Sequence, residues 1–236
     1  MNWNVSRVSI PVFDIKKTVE FYNYILNEED GISYKKNINE HECFISGGNI
    51  ELKLFKLKNQ LKNDFQVQSR RTFVSLLIEN INLLIENLTN NNINYIINDN
   101  KDTKSLLIQE PGLNCIELID LDSIFNHYKS ILWNFHHINL ESYNVRSSVN
   151  FISKYLKIKE GSWKAPVELG KVNIEKNQLA IFPLDKNHSG IHINKADFTF
   201  SWRNKFIHNP TIGGHPAFNI KDIKAFIKKL KNANIP

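Results

Sequence analysis

The sequence predicts an α+β protein built of repeated strand–helix units. Three observations carry that prediction. Residues 7–26 (RVSIPVFDIKKTVEFYNYIL) return in outline 130 positions later as 137–156 (HINLESYNVRSSVNFISKYL), with Asp14 on Asn144, Val19 on Val149, Phe21 on Phe151 and Leu26 on Leu156. Residues 73–93 (FVSLLIENINLLIENLTNNNI) return 142 positions later as 215–235 (HPAFNIKDIKAFIKKLKNANI), with Asn80 on Asp222, Ile85 on Ile227 and Leu88 on Leu230. Between these pairs lie hairpin-like stretches: 41–57 around Gly-Gly, 105–120 around Pro-Gly, and 171–185.

The elements follow in order. Each repeat opens on an alternating strand and passes through an Asx residue suited to accept an orphan helix N–H. An amphipathic helix follows, with Val19, Tyr22, Ile25 and Leu26 on one face of the first. Three units therefore read strand–helix–three strands. The fourth starts near Thr211 and stops at Pro236, just after its helix. The polar segment 58–70 reads as a connector, and 121–132 links the halves.

Composition narrows the class. Hydrophobic residues make up 42% and charged residues 23%, enough apolar material for a core. That excludes a disordered chain or a disulfide scaffold. Cys43 and Cys115 lack a CxxC context and read as reduced and structural. No apolar run reaches the roughly 18 residues of a membrane span, and the N-terminus carries no signal-peptide pattern. A soluble cytoplasmic protein is expected. The net charge of +6 hides a gradient: residues 1–130 hold 14 Lys+Arg against 17 Asp+Glu, and residues 131–236 hold 16 against 7. The basic half could attract an anionic ligand. Only six alanines beside abundant Asn, Lys and Ile also point to a compositional bias. The lysines concentrate on one amphipathic helix with no nucleic-acid motif, so no nucleic-acid partner is expected.

The first strand and helix, including Phe21-Tyr22, and the run Glu110-Pro111-Gly112-Leu113-Asn114-Cys115-Ile116-Glu117 resemble the vicinal oxygen chelate superfamily of glyoxalases, extradiol dioxygenases and bleomycin- or fosfomycin-resistance proteins. The resemblance implies tandem βαβββ units forming two open barrel-like sheets, the second incomplete. It implies one module over 1–125 (units 1–57 and 68–120) and another over 131–236 (unit 131–185 and partial unit 211–236). It further implies a cleft that binds a small oxygen-rich or aromatic molecule, often over Fe2+ or another divalent ion.

Residue by residue, the family's metal positions in the first module fall on Arg7, Glu51, Phe73 and Glu117. An arginine and a phenylalanine beside two acids read as a metal-free half. There Arg7 either pairs with Glu117 or presents its guanidinium to an anionic ligand. In the second module the first-strand positions fall on His137 and His215, the set that in extradiol dioxygenases joins a glutamate to hold Fe2+. The third position would be residue 259, beyond Pro236, and the Glu51 counterpart is Ile181. A longer chain, a second copy completing the module as a homodimer, or a decayed site each account for that gap. His188 and His192 flank a Ser-Gly turn, where they could line the cleft mouth or supply a missing ligand or a proton-transfer group, with His192 a ligand-binding candidate, although the loop context favours exposure; His136 and His208 lie in the same half. Trp163 is a further aromatic candidate for the pocket. The alternation in DFTFSW places Phe198, Phe200 and Trp202 on one strand face, with Trp202 a candidate pocket wall. The two readings left standing are a metal-dependent dioxygenase, lyase or isomerase, and a metal-free binding or resistance-type module.

Overall fold

A computed structural model of the chain describes residues 3–26, 37–38, 40–47, 50–57, 72–100, 103–120, 133–162, 176–184, 189–207 and 214–235. The first unit runs through β1 (Asn4–Val12), α1 (Ile15–Ile25), β2 (Asn37–Ile38), β3 (Glu42–Gly47) and β4 (Ile50–Lys56). The second runs through β5 (Phe73–Ile78), α2 (Ile81–Asn90), β6 (Tyr95–Asn100), β7 (Thr103–Gln109) and β8 (Cys115–Asp120). The third holds β9 (Trp133–Ser142), α3 (Val145–Phe151) with a π-turn over Ile152–Leu156, β10 (Leu179–Pro183) and β11 (Gly190–Lys195). A short helix α4 (Phe200–Arg203) precedes β12 (His215–Asn219) and α5 (Ile223–Asn232).

The Asx residues cap as their side-chain chemistry dictates. Asp14, Asn144 and Asp222 accept the backbone N–H three residues on, from Lys17, Ser147 and Ala225. Asn80 differs: it takes a left-handed conformation at φ 56° and makes no side-chain cap. In the first three units the last strand lies parallel to the first, β4 on β1, β8 on β5 and β11 on β9.

The units do not pair as consecutive halves. β9 of the third unit pairs antiparallel with β5 of the second, giving a seven-stranded sheet in the order β10-β11-β9-β5-β8-β7-β6. β12 of the fourth pairs antiparallel with β1 of the first, giving a five-stranded sheet in the order β12-β1-β4-β3-β2. The expected modules 1–125 and 131–236 are thus exchanged, inner with inner and outer with outer. The five-stranded sheet is the one shared by units one and four. The units differ at their helices. The first helical position is 6% exposed at Ile15, 1% at Ile81 and 2% at Val145, but 54% at Ile223.

Both sheets feed one apolar core, which holds Val8, Ile10 and Leu54 of the smaller sheet beside Val74, Leu76, Ile116, Leu118 and Phe182 of the larger. Polar ties fasten the units together. Trp3 Nε1 donates to the Leu156 carbonyl at 2.6 Å. The turn between β7 and β8 makes a deeper one. Glu110 is 1% exposed. Its carboxyl accepts from Gly112 N at 2.6 Å, from Asn114 N at 3.1 Å and from Asn114 Nδ2. Asn114 Nδ2 also donates to the Pro11 carbonyl of β1 at 2.7 Å. A Cβ on Gly112 would sit 2.7 Å from Glu110 Oε1, which explains glycine there. Burial pushes the Glu110 pKa up against the pull of these donors.

One sequence expectation about local structure is overturned. DFTFSW is not a strand. Asp197 takes the Thr199 amide at 3.0 Å and the Thr199 hydroxyl at 2.8 Å. That side-chain-closed turn leads straight into α4, so Phe198 and Phe200 do not share a strand face. Trp202 ends 73% exposed on α4, outside the residues that line the cavity described below.

Because Asn114 serves two buried acceptors on different units, Asn114→Ala should cost about 2–3 kcal/mol of unfolding free energy. Asp14→Ala, which removes a solvent-facing cap, should cost about 1 kcal/mol. Urea denaturation of both variants checks the ranking, and equal losses would show that the turn does not tie the units.

Candidate functional site

The chemistry gathers on one face of the seven-stranded sheet. Strand alternation sends Val74, Leu76 and Ile78 of β5 into the main core. Phe73 and Ser75 face the other way, with Cys115 and Glu117 of β8 and Ser105 and Leu107 of β7. On β9 the parity changes. Trp133 and Phe135 point into the core, yet so does Ile138. The cause is a β-bulge: Ser75 pairs with His137 and Leu76 pairs with Phe135, leaving His136 as the extra residue. The bulge keeps both adjacent imidazoles out of the core.

Those side chains floor a cavity of about 700 Å³. Phe73 and Phe200 stack across one wall, centroids 6.0 Å apart and planes 15° apart. Glu117 accepts from Ser75 Oγ at 2.5 Å and from Ser105 Oγ at 3.1 Å. His137 Nε2 lies 3.0 Å from Ser75 Oγ, and its Nδ1 lies 2.6 Å from Nδ1 of His136. The rings of His137 and His192 stack at 3.8 Å and 21°. Asn194 Nδ2 donates to Asn139 Oδ1 at 2.7 Å, and Asn139 Nδ2 reaches Ser75 Oγ at 3.4 Å.

Burial dominates the electrostatics. It pulls the His137 pKa well below the usual imidazole value, and the neighbouring His192 and His136 lower it further. It also lowers that of His192 to about 3, with His136 adding to the effect. Both rings are neutral at pH 7. The 3.6 Å approach of His137 Nε2 to Glu117 Oε2 therefore brings a neutral ring to the carboxyl group and is not an ion pair. Burial raises the Cys115 thiol to about 12, so it carries no thiolate chemistry.

The candidate residues are distributed as follows. Phe73, Glu117, His137 and His192 line this cavity together. His192 sits half-buried on β11 rather than exposed in a loop. It faces Asn139 on β9 as Glu117 faces Ser75 on β5, so it stands where unit two carries its acid. His215 does not join His137. It opens β12 in the other sheet, opposite Ser9, with its ring 6.1 Å from Phe55. The expected His137–His215 metal pair is undone by the exchanged pairing. Arg7 does not meet Glu117 either. It pairs with Glu51 at 2.5 Å on the five-stranded sheet, where the two side chains are 41% and 29% exposed, a setting in which an ion pair adds little. Trp163, His188 and His208 lie outside the described residues.

Two imidazoles and a carboxylate are donors suited to Fe2+ or a similar ion. Their arrangement does not fit one. Among the described residues no group of three His, Cys, Asp or Glu side chains could hold a metal. His137 Nε2 faces Ser75, its ring lies flat on His192, and Phe73 fills the remaining family position.

Ser75, Ser105, Asn139 and Asn194 carry the hydrogen bonding and are not among the sequence candidates. Their signal is a polar residue at alternate positions in otherwise apolar strands, as in FVSLLI and GIHIN.

The buried neutral histidines make stability depend on pH. The folded state holds them below the unfolded value of about 6.5. The unfolded chain therefore binds more protons below that pH, and stability rises with pH. Unfolding free energy should be full above about pH 6.5 and fall as the pH drops toward about 3. His192→Phe should flatten that fall in urea titrations run from neutral to mildly acidic buffer, and an unchanged slope would count against the assignment.

No protein-family model and no curated protein sequence matches the chain. Solved structures do. A protein of Bacillus subtilis subsp. subtilis str. 168, provisionally described as a dioxygenase, superposes with TM-score 0.61 at 9% identity over 98% of this chain and 74% of its own. A single-substitution mutant of glyoxalase I from Zea mays superposes with TM-score 0.63 at 14% identity over 98% and 79%. A second such mutant of the same enzyme superposes with TM-score 0.57 at 14% identity over 83% and 69%. With its βαβββ units and paired open sheets, the chain shares the fold of these glyoxalase- and dioxygenase-type structures.

Proposed function

We propose that the chain binds a small aromatic or oxygen-rich molecule in the cavity of the seven-stranded sheet, as a metal-free member of this fold. One observation carries the reading: the cavity sets the Glu117 carboxyl group as an acceptor, among neutral imidazoles, beneath the stacked Phe73 and Phe200. A flat ring can extend that stack while its hydroxyl hydrogens meet the floor. Glu117, fixed by two serine hydroxyls, needs little reorganisation to accept such a hydrogen.

The metal-dependent reading has one observation in its favour, the register that puts His192 in the place of Glu117's counterpart. It requires the His137–His192 stack to open. A second copy completing the fourth unit also belongs to the proposal, since Ile223 and Ile227 are half exposed on α5. Sedimentation at several concentrations tests that point, with a single monomeric species as the opposing result. No helix among the described residues is long and apolar enough to cross a membrane.

Catechol is the probe for the cavity. Calorimetry on chelator-treated protein should show binding that added Fe2+, Zn2+ or Ni2+ leaves unchanged. Phe200→Ala should weaken it roughly three- to tenfold, in line with about 0.5–1.5 kcal/mol per aromatic pair. Binding that appears only after metal is added would overturn the metal-free reading, and no binding of catechol in either state would overturn ligand capture at this site.

A further inference from the structure

Ser75 of β5 and the bulge residue His136 do not line the cavity, yet both stand in the hydrogen-bond run that leads to Glu117. Proton counting along their contacts gives them a role. Glu117 has both carboxylate oxygens facing serine hydroxyls, Oε2 toward Ser75 and Oε1 toward Ser105. Ionised, it can only accept. The single Ser75 hydrogen is therefore directed at Glu117, 2.5 Å away. Ser75 Oγ is then an acceptor toward everything else, including the Asn139 amide at 3.4 Å. Its 3.0 Å contact with His137 Nε2 must carry the hydrogen on the ring. A neutral imidazole has one N–H. His137 Nδ1 is left with its lone pair, and the 2.6 Å contact there requires a hydrogen on Nδ1 of His136.

We propose that Ser75 and His136 are positioning residues of the cleft, holding His137 in its Nε2–H tautomer within a one-way run of hydrogen bonds from His136 through His137 and Ser75 to Glu117. All donors in the run point toward the carboxylate. The hydrogen bonds cooperate in a buried setting, and the charge of Glu117 is spread along them. Glu117 then meets a ligand as a fixed acceptor, and the two histidines do not compete for the ligand's hydrogen. The bulge is what makes the run possible. Without the extra residue, strand alternation would turn His136 to the face opposite His137. The neutrality of His137 agrees with this arrangement, since an imidazolium would place a second hydrogen on Nδ1 against the His136 donor.

The inference rests on the cavity being the ligand cleft, and its test needs no ligand. Long-range proton–nitrogen spectra of the full chain labelled with 15N-histidine report each ring's tautomer directly. At pH 7 His137 should be neutral with its hydrogen on Nε2, and His136 should carry a hydrogen on Nδ1. Ser75→Ala should remove the exchange protection of the His137 Nε2 proton, and Ser75→Thr, which keeps the hydroxyl, should restore it. An Nδ1–H or doubly protonated His137 in the wild-type chain would overturn the proposal. So would Ser75→Ala spectra in which the His137 signals stay at their wild-type positions and protection. The wild-type spectrum decides the direction of the run even if Ser75→Ala does not fold. Failure of catechol to bind would leave these spectra unaffected, so the two readings fail separately.

Discussion

The antiparallel pairing of β5 with β9 is the constraint on which the rest of this molecule depends. It joins the second and third units edge to edge, so the acid of one unit and the imidazoles of the other share a face. It also carries the one-residue slip at His136. Because side-chain direction in a strand has period two, one extra residue exchanges core and cavity positions on everything beyond it. Trp133 and Phe135 pack into the core on one side of the slip, and Ile138 does so on the other. Had β9 been regular, Phe135 and His137 would have shared a side, and a histidine would have taken a core position.

That geometry sets the electrostatics. Three imidazoles and a carboxylate pressed together away from water could repel or attract strongly, depending on protonation. Burial settles it by disfavouring the charged rings. Once His137 and His192 are neutral they can stack at 3.8 Å, a separation at which two imidazolium ions would repel. The Glu117 carboxyl group lies among hydroxyl donors. The same apolar environment that keeps the Cys115 thiol protonated therefore prepares a cleft that is polar in its contacts and nearly uncharged in its rings.

Much of this is legible in the sequence. The repeats at offsets of 130 and 142 locate the first three helices and the caps at Asp14 and Asn144, and the Pro-Gly pair marks the turn before Glu117. The individual positions Phe73, Glu117 and His137 do meet in one cavity. What escapes is everything decided by which strand lies beside which. Consecutive units look like modules, because a linear repeat carries no information about partners. His137 and His215 occupy equivalent places in their own units, yet the exchanged pairing separates them onto different sheets. The place of His192, itself a sequence candidate, is obscured for a related reason. Its Ser-Gly neighbourhood reads as a loop, whereas Gly190 in fact opens β11 against His137. The slip at His136 leaves no mark beyond a doubled histidine. DFTFSW misleads through a short-range effect, since the turn that Asp197 closes onto Thr199 outweighs a weak alternation over six residues.

The exchange of partners also accounts for the unequal chemistry of the two sheets. In each sheet the first strands of two units run antiparallel to one another, and in the complete units the last strand flanks its own first strand. A four-position site therefore needs two complete units. The inner pair meets that condition, with β8 and β11 flanking β5 and β9. In the outer pair β12 has β1 on one side and, among the described residues, no strand on the other. His215 is left exposed at the edge rather than enclosed, and Arg7 and Glu51 neutralise each other on a half-open surface. A polar group gains strength as a recognition element only where water is excluded. Among the described residues the concentrated chemistry therefore lies on the inner sheet, in the cleft that Glu117, His137 and His192 share.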